Sequence, residues 1–99
     1  LIARLPGSGT REGGPAPSLA FVGHSDVVPA DARDWTHPPF EAVLDDRGYL
    51  WGRGALDMKN EVAARAVAMA SLAREGFAPR GDLVLIIAAD EEDGSAGWG

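Results

Sequence analysis

Apolar residues along this chain gather in short clusters set apart by Gly, Pro and charged stretches. Leu1–Leu5 reads as a strand that Pro6-Gly7 ends, and Ser8–Pro17, rich in Gly, Pro and charge, reads as a mobile surface loop. Leu19-Ala20-Phe21-Val22-Gly23 is a second short strand, with His24-Ser25-Asp26 at its carboxyl end. After a long connection over Pro29–Pro39, Phe40–Leu44 and Tyr49–Trp51 form a predicted hairpin turning at Asp45-Asp46-Arg47-Gly48. Asn60–Glu75 carries the helical period. Val62, Ala66, Met69, Ala70 and Ala73 fall on one face, Glu61 and Arg65 pair at i,i+4, and Gly76 suits the C-terminal cap. Leu83–Ala89 is apolar throughout rather than alternating, the pattern of a central strand covered on both faces. The order of strand, strand, hairpin, helix, strand predicts an α/β fold with a mixed sheet flanked by helices.

Ligands in such sheets gather outside the carboxyl ends of the strands. Two of the predicted strands end there in polar groups: His24 and Asp26 after one, Asp90-Glu91-Glu92-Asp93 after the other. An acidic cluster abutting a buried strand repels itself unless water or a cation neutralises it. His24 and Asp26, two apart, would share a side if the strand ran through them, so His24 could bind a metal while Asp26 oriented its ring. Alone, the pair reads first as a histidine in a polar loop with an unrelated Asp. Asp57, just before the helix, suits an N-cap as well as a metal bridge. Glu91 and Glu92 are adjacent, so in an extended segment they diverge and would take different roles, one a ligand and one a base facing water. A solvated acidic turn is the plain alternative. His37 reads as a surface or packing histidine.

Composition narrows the class. Nine Lys and Arg stand against 15 Asp and Glu, a net charge of −6, which argues against a nucleic-acid or anionic-membrane partner. Cysteine is absent, excluding disulfides and thiolate metal sites. No apolar run approaches the ~20 residues of a membrane span. Leu1–Arg11 lacks the basic start and apolar centre of a signal peptide, so a cytoplasmic location is expected. The first serine-hydrolase requirement fails as well: Gly23-His24-Ser25-Asp26-Val27 puts His where a nucleophile elbow needs Ser.

Four stretches taken together, Gly23–Pro29 (GHSDVVP), Trp35–Ala42 (WTHPPFEA), Trp51–Lys59 (WGRGALDMK) and Asp90–Gly99 (DEEDGSAGWG), resemble successive motifs of the di-zinc amidohydrolases. That family includes aminoacylase, acetylornithine deacetylase, succinyl-diaminopimelate desuccinylase and glutamate carboxypeptidase. The resemblance implies a zinc-exopeptidase-like catalytic domain holding two divalent ions, zinc first, with cobalt and manganese also compatible with N/O ligands. It implies that His24 is a terminal ligand of one ion, Asp57 bridges both and Glu92 is a terminal ligand of the other. Asp26 would orient His24, Glu91 would be the general acid/base, and a cis peptide would follow the bridging carboxylate at Asp57-Met58. The implied substrate is a small N-acyl amino acid or short peptide. The family pattern also needs a further carboxylate and a C-terminal histidine as ligands, and a lid or dimerisation domain. None of these lies within the 99 residues. The expectation is therefore the N-terminal portion (1–99) of a catalytic domain, from a longer enzyme that could be a homodimer. The competing expectation is a truncated, non-catalytic relative serving as a binding or structural module.

Overall fold

The computed structural model describes residues 1–9 and 15–94. Part of the predicted loop, 10–14, and the end of the last motif, 95–99, lie outside the described residues. Among the described residues five strands, β1 (Ile2–Leu5), β2 (Leu19–His24), β3 (Val43–Leu44), β4 (Leu50–Trp51) and β5 (Leu83–Ala88), accompany one α-helix, α1 (Asn60–Arg74). A three-stranded sheet has the order β1-β5-β2. β5 is its central strand, antiparallel to β1 and parallel to β2, so the sheet is mixed. Parallel pairing brings the carboxyl ends of β2 and β5 to one edge, with His24 opposite Ala88. That register carries the two polar strand ends to the same place.

Side chains alternate along a strand. The odd-numbered residues of β5, with Phe21 of β2, face α1, where Leu85, Ala66, Met69 and Ala73 line a common hollow. Leu85 and Ala88 are the buried hydrophobic residues among those described, at 2% and 4% exposure. The other face of the sheet carries Ile2 and Val22, which are exposed. Among the described residues, then, α1 covers one face of β5, whereas the apolar run predicts cover on both. The predicted helix face is only partly used: Val62 and Met69 are half-buried, and no helix residue is fully buried.

Local signals explain most boundaries. α1 ends as a Schellman motif: the Phe77 N–H donates to Leu72 O (3.0 Å) and the Gly76 N–H to Ala73 O (3.2 Å), with Gly76 at φ 69°. The hairpin is shorter than predicted. Glu41 N–H turns back to Pro38 O, and Ala42 takes a positive φ of 52°, which together keep Phe40–Ala42 out of the ladder. Asp45 organises the turn, accepting from the Arg47 and Tyr49 N–H groups (2.9 Å each) and from Trp51 Nε1 (3.0 Å). His37 packs against Trp51, ring centroids 4.9 Å apart, the packing role the sequence reading expects. Among the described residues no helix is long and apolar enough to cross a membrane.

Candidate metal centre

β2 runs one residue past its predicted end and stops on His24, which is buried at 6% exposure. Asp26 lies beyond the strand, so strand alternation does not relate the two residues. The chain folds back so that His24 Nδ1 meets the backbone carbonyl of Asp26 at 3.0 Å. A carbonyl can only accept, so Nδ1 carries a hydrogen, and in the neutral ring Nε2 presents its lone pair. Nε2 faces Asp57 Oδ1 at 3.3 Å and Glu91 Oε2 at 3.8 Å. The ring is thus oriented by the main chain of Asp26. The Asp26 carboxylate, expected to perform that task, stands 3.6 Å away through Oδ1.

That carboxylate does something else. Its Oδ2 accepts both the Glu91 and Glu92 N–H groups, at 2.9 Å each. These bonds, the Glu92 N–H foremost and opposed by burial, hold the Asp26 carboxyl below the ordinary carboxylate value. An ionised Asp26 therefore braces the segment carrying the two glutamates. For His24, burial works against the charged form. The Asp26 carbonyl and the carboxylates of Glu91, Asp26 and Asp57 outweigh it, and the net shift is upward.

Asp57 comes from a different element. Gly54, at φ 80°, opens a tight turn over Ala55–Lys59, in which Asp57 and Met58 leave helical geometry. The Asp57–Met58 peptide bond is cis. α1 begins without a side-chain cap, so the capping alternative for Asp57 does not apply, and its carboxylate is turned toward His24. Ligand atoms of His24, Asp57 and Glu92 lie within 4.8 Å of one another. Of the five predicted site residues these three converge as a ligand group, Glu91 stands beside the His24 ring, and Asp26 sits underneath as the brace.

One imidazole and two carboxylates from three separate segments form a borderline N/O donor set that suits a divalent transition ion. Among the described residues neither Asp57 nor Glu92 has a Lys or Arg ion partner, so the negative charge collected here fits a cation. Two residues escaped the sequence reading. Ser25, between His24 and Asp26, sends both its N–H (2.9 Å) and its Oγ (3.2 Å) to Ala88 O. Lys59 donates from Nζ to the Ser25 carbonyl. The one signal available was position: Ser25 inside the His24-x-Asp26 motif, Lys59 two residues after Asp57.

A mixed α/β sheet with a His/Asp/Glu ligand group gathered at the carboxyl ends of its parallel strands β2 and β5 and at the turn before α1 defines a candidate metal-binding domain. Residues 20–99 match Peptidase family M20/M25/M40, and the chain belongs to that family. It is the metal-dependent amidohydrolase family that the four motifs resemble. Similar curated proteins are succinyl-diaminopimelate desuccinylases. That of Gluconacetobacter diazotrophicus is 48% identical over 90 residues, 91% of this chain and 23% of the relative. Those of Alkalilimnicola ehrlichii and Marinobacter nauticus are 47% and 46% identical over 83 residues, each covering 83% of this chain and 22% of the relative. The chain spans less than a quarter of the length of these relatives.

Proposed function

We propose that the chain is the N-terminal portion of the catalytic domain of a two-metal amidohydrolase that removes the acyl group from an N-acyl amino acid, succinyl-diaminopimelate being the first candidate. The observation that carries this reading is the convergence of His24, Asp57 and Glu92 at one sheet edge, with Glu91 beside them. In this reading His24, Asp57 and Glu92 would hold the ions, His24 and Glu92 serving different ones and Asp57 serving both. When bound, the ions supply Lewis acidity toward the scissile carbonyl and the attacking water. Glu91, not consumed as a ligand, takes the proton from that water and returns it to the leaving amine, so an amide and water become a carboxylate and an amine. In the neutral ring His24 presents Nε2 as a lone pair toward the site, because its Nδ1–H is held by the Asp26 carbonyl. Asp26 keeps Glu91 and Glu92 in register through their N–H groups. Dipeptidase and carboxypeptidase activities use the same chemistry and differ in substrate contacts.

The test uses the full-length protein, stripped with a chelator and restored with Zn2+, Co2+ or Mn2+. It is assayed on succinyl-diaminopimelate, other N-acyl amino acids and dipeptides. Hydrolysis that vanishes on stripping and returns with metal is expected, with the succinylated substrate preferred. A metal-loaded protein that cleaves none of these substrates points instead to the non-catalytic relative.

A further inference from the structure

Asp57 and His24 sit on segments with no shared secondary structure, yet their ligand atoms must hold a fixed separation for an ion to see both. Lys59 spans that gap. It follows Asp57 by two residues, and its Nζ donates to the carbonyl of Ser25, the residue between His24 and Asp26. The same Ser25 binds Ala88 O at the end of β5 through N–H and Oγ, two residues before the acidic run Asp90–Asp93. A continuous chain of bonds thus runs from the Asp57 turn through Ser25 to the strand that leads to Glu91 and Glu92. The route of the lysine is defined at both ends. Its own N–H bonds Gly54 O at 2.9 Å. Its stem passes over Gly54, where a Cβ would come 3.4 Å from Lys59 Cε and 2.4 Å from Val27 Cγ1. Only glycine leaves that space, and it also tolerates the positive φ of 80° found there.

We propose that Lys59 is a positioning residue for the metal centre, its ammonium tying the Asp57 turn to the strand end that bears His24. The inference rests on the metal-centre reading given above. It makes a prediction of definite sign. An ammonium acting only through its charge would compete with a bound cation, so removing it would tighten metal binding. A tie acts the other way: without it Asp57 drifts from His24 and metal binding weakens. Losses of about 10- to 100-fold are usual when a group that orients ligands is removed.

The experiment compares Lys59→Met and Lys59→Arg with the unaltered full-length protein. Zn2+ affinity is measured by chelator competition, the Co2+ form by its visible absorption, and the Zn2+ form by kcat and KM. Lys59→Met is expected to bind Zn2+ about 10- to 100-fold more weakly and to shift the Co2+ bands. Lys59→Arg, which keeps a cationic donor, should recover most of both. Lys59→Gln provides the same comparison should Lys59→Met not fold. Unchanged or tighter Zn2+ binding in the neutral variants overturns the inference. Failure of the unaltered protein to bind Zn2+ overturns the centre itself, so the two failures are distinguishable.

Discussion

Glu91 and Glu92 are neighbours on the chain, share one anchor in Asp26, and reach different surroundings. Glu92 joins His24 and Asp57 in the ligand group, whereas Glu91 Oε2 lies 3.8 Å from His24 Nε2. Glu91→Gln in the full-length protein should therefore keep its metal and lose about 10²–10⁴-fold in kcat, the usual contribution of a general base. Glu92→Gln should weaken metal binding itself. Metal titration alongside turnover separates the two, and equal loss of metal in both would reverse the assignment. These residues stood out in the sequence because a histidine, a pre-helical aspartate and an acidic run each close an apolar or glycine-rich segment, but only the resemblance of the four motifs together gave them roles. What Asp26 does was not legible. Its carboxylate bonds to N–H groups 65 and 66 residues away, and that choice depends on the parallel register of β2 against β5, which no local pattern encodes. Lys59 and Ser25 stayed hidden for the same reason: their partners are a backbone carbonyl 34 residues off and another 63 residues off.

At the scale of elements, capping and turn chemistry were readable because they are local. Gly76 ends α1 and Asp45 nucleates the hairpin as their residue types suggest. The attachment of β1 was not readable. Asp82, just before β5, accepts from Gly7 N–H (2.8 Å) and Arg4 Nε (2.7 Å), clasping β1 beside the central strand. The Gly7 N–H foremost, then Arg4, lower the Asp82 carboxyl below its ordinary value of 3.8. A carboxyl whose pKa is depressed on folding favours the folded state above its unfolded value, and that advantage fades as pH falls through the lower, folded value. The clasp should therefore hold at pH 5 and above and weaken progressively below about pH 4. Hydrogen exchange of the β1 amides in the full-length protein, followed across that range, measures it. Lower protection on acidification, each rate being taken relative to the intrinsic rate at that pH, is expected in the unaltered protein. In Asp82→Asn the protection should already be low at neutral pH and should change less with acid. Equal protection in both proteins would remove Asp82 from the clasp.

The molecule as a whole spans 58 × 36 × 18 Å with a radius of gyration of 17.5 Å, against about 13 Å for a compact domain of this length. Ile2 and Val22 leave one sheet face open, at 74% and 45% exposure, and Leu44, Leu56 and Val67 are also exposed. Among the described residues the outer edges of β1 and β2 have no strand partner. Open apolar faces and unpaired edges both favour association. The candidate metal centre is also sparsely ligated. Among the described residues each ion of the proposed pair has Asp57 and one terminal ligand, His24 or Glu92, while catalytic zinc ordinarily holds three protein ligands. The 99-residue segment expressed alone should therefore lose added Zn2+ on dialysis, hydrolyse no N-acyl amino acid or dipeptide, and elute as mixed oligomers. Metal analysis after dialysis, an amidase assay and light scattering on the eluted protein test the three outcomes together. A monodisperse dimer retaining stoichiometric Zn2+ would mean that a second copy completes the ligand set, and the centre would then belong to the pair of chains rather than to one.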